Sequence, residues 1–130
     1  MSNSPTAVNL QASRRPVAVA LWVAQVILAF QLASGGALKL VGDASMVDLF
    51  TTIGAGQWFR YAVGVIEVAG AVGLLIPRFR GLAALGVSAL LVGATITNIL
   101  IGVQPWFPLS FLLLAATVAY VRRSEIGGKR

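Results

Sequence analysis

The sequence predicts an all-α fold: an integral membrane four-helix bundle with both termini in the cytoplasm. Three observations predict it. Apolar residues make up 58% of the chain and charged residues 11%, against about 45–50% and 25% in soluble domains. With a mean hydropathy of +0.87, the 130 residues have too few charges to coat a soluble surface. The apolar residues gather in four runs separated by short connectors. The basic residues, which give a net charge of +6 and a pI of about 11.3, stand at the ends of those runs and not along one polar face. That placement reads as a topology signal with attraction to anionic headgroups, and argues against nucleic acid as a partner.

Residues 1–16 are polar and small, and read as a mobile cytoplasmic tail. A transmembrane domain follows over 17–121. Its first span is Val17 to Leu38. Arg14 and Arg15 ahead of an apolar run, with "ASG" at 33–35, imitate a signal peptide, but the run exceeds the 7–15 residues of a signal core, so a retained helix is expected. The connector 41–60 carries a short helix capped by Asp43 or Ser45, with Met46, Val47, Leu49, Phe50 and Ile53 on its apolar face and Gly54 and Gly56 at its end. It is expected to lie on the outer membrane surface or to fold down as a lid. The second span, Tyr61 to Ile76, is short. The "PRFRG" turn at 77–81 leads into the third, Leu82 to Val103, and "QPWFP" at 104–108 into the fourth, Trp106 to Val121. Residues 122–130 form a basic cytoplasmic tail. Arg14, Arg15, Arg78, Arg80, Arg122, Arg123, Lys129 and Arg130 share one side, and only Lys39 and Arg60 fall on the other. The positive-inside rule then makes the chain a multi-pass membrane protein with both termini and the "PRFRG" turn in the cytoplasm.

The chain has no Cys and no His. No disulfide, thiol relay, Cys/His zinc site or His-held haem can come from it, and no metal site is expected. Any redox role therefore needs a partner or a bound small molecule.

The candidate site is the set of polar residues inside the spans, where ionisable groups cost at least about 2.5–3.5 kcal/mol. Glu67 lies seven residues past Arg60, roughly 10 Å along the helix. Lys39 ends the first span. Gln25, Leu32 and Lys39 share one stripe; Arg60, Gly64, Glu67 and Ala71 share another; Ser88, Thr95, Asn98 and Gly102 a third. If the stripes face inward, Lys39 and Glu67 form the polar centre of an outer-half pocket and are its candidate catalytic residues, Glu67 as general acid or base. Tyr61, Thr95, Asn98, Gln104, Trp58 and Gln25 are the candidate ligand-binding residues. A plainer reading stands beside it: Glu67 pairs with Lys39 or Arg60 and fixes the helices in register. The glycines, with the small pairs Ala69–Gly73 and Ala89–Gly93, read as helix packing.

The stretches "LASGGALKLVGDASMVDLF" and "GQWFRYAVGVIEVAGAVGLLIPRFRGLAAL" resemble the DoxX-like family of small bacterial membrane proteins. Gly36 to Lys39 matches that family's Gly-x-x-Lys, and Gly64, Glu67 and Gly70 its Gly-x-x-Glu-x-x-Gly. Arg78 and Arg80 match its arginine-bearing turn. The resemblance implies a four-helix membrane bundle and a link to oxidoreductase systems. Related sequences often carry His where this chain has Asn98, and an amide cannot titrate. Three functions follow as expectations. The first is a subunit of a redox system that binds a quinone or other lipophilic molecule, possesses no intrinsic cofactor and works with an oxidoreductase partner protein. The second is a stand-alone isomerase, cyclase or hydrolase using Glu67. The third is an exporter acting as a homo-oligomer.

Overall fold

The computed structural model describes residues 5–126, with side chains from Arg15 onward. Among these residues it is all-helical, with six helices: α1 (Pro5–Val41), α2 (Ala44–Ile53), α3 (Gln57–Leu75), α4 (Arg80–Leu100), α5 (Trp106–Val121) and α6 (Arg123–Ile126). Three stretches are long and apolar enough to cross a membrane: Arg15–Val41, Gln57–Leu75 and Arg80–Leu100. The helix over Trp106–Val121 is apolar but shorter. Helix α1 starts at Pro5 and passes through Pro16, so residues 5–16 of the expected tail continue the first span as helix. Lys129 and Arg130 lie outside the described residues.

The four long helices pack in a ring: α1 on α3, α3 on α4, α4 on α5, and α5 back on α1. The inward stripes are small and aliphatic. Leu28 and Leu32 of α1 meet Ala71 and Leu74 of α3, Ala84 and Val87 of α4, and Ala115 and Val118 of α5, all buried. The outward faces carry exposed Val, Ile, Leu and Phe, among them Phe30, Ile66, Leu82, Ile99 and Leu113. Apolar residues on every face are what a lipid-facing helix needs, since hydrocarbon offers no penalty for their exposure.

Helix α1 ends at Gly42, which takes φ +77°. The amide of Asp43 then returns to the carbonyl of Leu38 at 3.0 Å, closing the turn as a Schellman cap does. Asp43 caps α2 as its sequence predicts, accepting from the backbone amide of Ser45 at 3.2 Å and from its hydroxyl. Gly54 ends α2 with φ +84°. Helix α2 lies against the start of α3. Phe50 is its buried anchor, edge-on to Phe59 with 5.7 Å between ring centroids.

Two contacts bring the spans together at glycines. At α1–α3, a Cβ on Gly36 would stand 2.8 Å from the carbonyl oxygen of Gly64, and one on Gly64 3.1 Å from that of Gly36. At α3–α4, Gly70 faces Val87 and Gly73 faces Ala83, each leaving room only for hydrogen. The pair Ala89–Gly93 does not join helices within this chain, because Gly93 has open space in front of it. The buried face of α4 is Gly81, Ala84, Val87 and Leu91. Ser88 and Thr95 are half-buried at its edge, and each hydroxyl returns to its own helix, to Ala84 and Leu91 carbonyls at 2.7 Å.

Candidate functional site

Helices α1 and α3 run antiparallel, and their backbones come close together at Gly36 and Gly64. Side chains lean toward the N-terminus of their own helix. Three residues past Gly36, Lys39 therefore leans back toward the crossing, and Glu67, three residues past Gly64, leans toward it from the other side. They meet: Lys39 Nζ stands 2.8 Å from Glu67 Oε1. The side chains are 14% and 13% exposed, so the pair is largely shut in between two apolar helices. The ammonium is at charge-assisted hydrogen-bond distance from Glu67 Oε1, and among the described residues no other group donates to that oxygen. Gly35 borders the pair. A Cβ there would lie 3.7 Å from both Glu67 Oε2 and Lys39 Nζ, ordinary contact with nothing to displace. The pair thus has one wall made of backbone alone.

Arg60, the other basic residue at this end, does not pair with Glu67. It is buried at 5% exposure and serves the end of α1. Its Nη1 donates to the carbonyl of Lys39, and its Nε to Gln57 Oε1 at 2.8 Å. A guanidinium on the last carbonyls of a helix meets the negative end of its dipole, which compensates for burial without an acid. The same bond fixes the backbone of the residue that carries the ammonium.

The other expected ligand-binding residues are dispersed. Tyr61 is half-exposed with the Arg60 guanidinium 4.3 Å from its ring centroid. Trp58 is exposed and donates its indole N–H to the carbonyl of Ala55 at 2.9 Å. Asn98 and Gln104 organise the α4–α5 connection. Asn98 Nδ2 donates to the Gln104 carbonyl at 3.1 Å, and Gln104 Oε1 accepts from the amides of Trp106 and Phe107 at 2.9 and 3.3 Å, capping α5. No hydrogen bond joins Tyr61, Thr95, Asn98 or Gln104 to Lys39 or Glu67 among the described residues.

Gln25 lies apart from the pair. It shares the Lys39 stripe but lies fourteen residues away, about 21 Å along the helix. Fully buried, it donates Nε2 to the Leu74 carbonyl at 2.7 Å and accepts from Arg122 Nε at 2.7 Å. It belongs to a second polar cluster at the opposite end of the bundle. There Arg80 and Arg122 both bind Glu125, at 2.9 and 3.3 Å. Arg122 and Glu125 were legible only as tail residues. The available signal was an acid three residues past an arginine in an otherwise basic segment.

The hydrogen bond from Arg80 holds the Glu125 carboxyl below its ordinary pKa; burial opposes it, and the charges of Arg80 and Arg122 assist. A depressed carboxyl stabilises the fold fully above its unfolded value of 4.5, and that stability is lost as pH falls through the folded value. Thermal unfolding in neutral detergent is therefore expected to be flat from pH 7 to 5 in this respect and to weaken below 4.5. Glu125→Gln should remove that part of the acid sensitivity, which a scan of both proteins checks.

Among the described residues, no group of three or more His, Cys, Asp or Glu stands together as a metal ion would require. What the Lys39–Glu67 pair can do is bind a polar group, with one cationic donor and one acceptor side by side in apolar surroundings.

No curated protein and no solved structure gives a significant match to the chain. A family model does, over residues 23–120, which takes in both glycine crossings, Lys39, Glu67 and the arginine turn. The chain belongs to the DoxX-like family, and with its apolar helices it is a membrane protein of that family.

Proposed function

We propose that the chain is a membrane-embedded accessory subunit of a redox system, and that Lys39 and Glu67 receive the polar head of a quinone-like lipophilic molecule. The observation that carries this reading is the ion pair itself, 2.8 Å across and 14% and 13% exposed between two apolar helices. A buried pair is weak stabiliser, often no better than a well-packed apolar pair of the same volume. Ionisable groups at such depth more often mark a site than a staple. The ammonium is placed to donate to a carbonyl oxygen and the carboxylate to accept from a hydroxyl. Both functions are needed by a molecule that cycles between quinone and quinol.

In this reading the electrons belong to an oxidoreductase partner protein, and the chain supplies position and polarity. The membrane is the bacterial cytoplasmic one, with Arg80 and Arg122 at its inner face and Lys39 and Arg60 toward its outer face. Helix α2 lies at the outer surface, and Trp58 and Tyr61 stand at the headgroup layer where ligand or partner arrives.

Native mass spectrometry from mild detergent tests the reading, comparing wild type with Glu67→Gln. A co-purifying lipophilic molecule is expected on the wild type and absent or at least about tenfold reduced on the variant, as for a lost charge-assisted bond. Equal, empty spectra from two folded proteins would instead make the pair a structural staple.

A further inference from the structure

At the end of the bundle opposite Lys39 and Glu67, two guanidinium groups converge on one carboxylate. Arg80 takes Glu125 with a fork, Nε to Oε1 at 2.9 Å and Nη2 to Oε2 at 3.2 Å. Arg122 adds Nη1 to the same Oε2 at 3.3 Å. The two cations are built into the fold. Arg122 is 7% exposed, and its Nε is fixed by Gln25, which is itself fixed on the Leu74 carbonyl. Arg80 begins α4, with its guanidinium 5.6 Å from the ring centroid of Trp22 on α1. Elements α1, α3, α4 and α5 therefore all hold the cradle in place.

The anion comes from a short element. Glu125 sits on α6, four residues long, and a single turn has almost no stability of its own. Besides the arginines, α6 packs on α4 at Gly81, where a Cβ would meet Glu125 Cβ at 3.3 Å and Ile126 Cγ1 at 3.4 Å. Charge is also unbalanced. Two guanidiniums share one carboxylate, and neither Arg78 nor Arg123 beside them has an acid partner among the salt bridges of the described residues. A cationic cradle built from the bundle is thus filled by an oxyanion that the chain supplies from a single terminal turn.

We propose that Arg80 and Arg122 form a binding site for a phosphate oxyanion, that Glu125 is its internal stand-in, and that the ligand is an anionic phospholipid headgroup. The donor set fits: a phosphodiester presents its two non-bridging oxygens to a guanidinium fork as a carboxylate does. The place fits as well. Arg80 opens α4 and Arg122 follows α5, where the apolar sequence of both helices stops and headgroups begin. Entry of the headgroup requires α6 to leave its seat, so lipid binding and release of the C-terminal segment are one event. This site is independent of the Lys39–Glu67 pair.

The test titrates the full chain in neutral detergent with short-chain phosphatidylglycerol, phosphatidylcholine and inorganic phosphate, read by native mass spectrometry. Glu125→Gln is expected to bind phosphatidylglycerol about tenfold tighter than wild type, because the competing carboxylate is gone. Phosphatidylcholine should show no such gain. Adding Arg80→Gln to that variant should abolish it, while adding Arg78→Gln should not. Inorganic phosphate binding as tightly as phosphatidylglycerol would overturn the headgroup assignment, and no gain with either would overturn the site. Should Glu125→Gln not fold, the wild type in nanodiscs decides. Phosphatidylglycerol should speed amide exchange over 123–126 relative to phosphatidylcholine, and unchanged exchange would overturn the proposal.

Discussion

Gly36→Ala is expected to destabilise the protein by about 2 kcal/mol, while Gly35→Ala, one residue earlier, leaves it unchanged or slightly more stable. The contrast follows from what each new methyl would touch. At Gly36 it would stand 2.8 Å from the backbone carbonyl of Gly64 and 2.8 Å from Val68 Cγ2. A backbone oxygen in a packed helix cannot step aside, so α1 and α3 must separate. At Gly35 the nearest atoms lie at 3.7 Å and belong to the flexible ends of Glu67 and Lys39. Helix propensity favours alanine at both positions, which makes the difference in sign a property of the crossing alone. Separation at Gly36 also opens the 2.8 Å contact between Lys39 and Glu67. Thermal or denaturant unfolding in detergent reads the stability. Equal effects at the two glycines would contradict the crossing.

Removing one member of the ion pair is expected to cost more than removing both. Lys39→Ala leaves a carboxylate enclosed by apolar helices without a counter-charge, and breaking a buried pair from one side costs about 3–5 kcal/mol. Replacing both, as Lys39→Leu with Glu67→Leu, removes both desolvation penalties together and should return most of that loss. The same double variant should lose any bound lipophilic molecule completely. Stability and binding then separate: the single variant is unstable, and the double variant is stable but empty. Unfolding midpoints and ligand content on the three proteins check this. Additive single effects would mean that the side chains do not interact in the folded protein.

Much of this site is visible in the sequence because charge inside apolar helices leaves few options. A lysine and a glutamate, each three residues past a glycine, need one another in hydrocarbon, and the close approach of two glycines supplies the meeting point. Asp43 and Gly54 are likewise readable, since a cap and a left-handed turn are local demands. What a stripe does not give is height. Gln25 lies on the face predicted for it, but about 21 Å from Lys39, and its partners are Leu74 and Arg122. Nor does polarity reveal the partner. Asn98 resembles an interhelical donor and instead ties down its own connector at Gln104. The buried face of α4, Gly81, Ala84, Val87 and Leu91, recurs at helical spacing but is flanked by equally apolar residues, so hydropathy alone does not single it out. Glu125 is hidden for another reason. In a basic tail an acid reads as solvated, and only the fold brings Arg80, forty-five positions away, to meet it.

The most direct measurement is the lipid-extractable content of the folded double variant Lys39→Leu with Glu67→Leu, set against wild type purified from the same membranes. The ion-pair site predicts a quinone-like molecule with the wild type and none with the variant, at comparable unfolding temperatures. The same molecule retained in equal amount by a folded variant would contradict it, and would place the ligand elsewhere on the bundle.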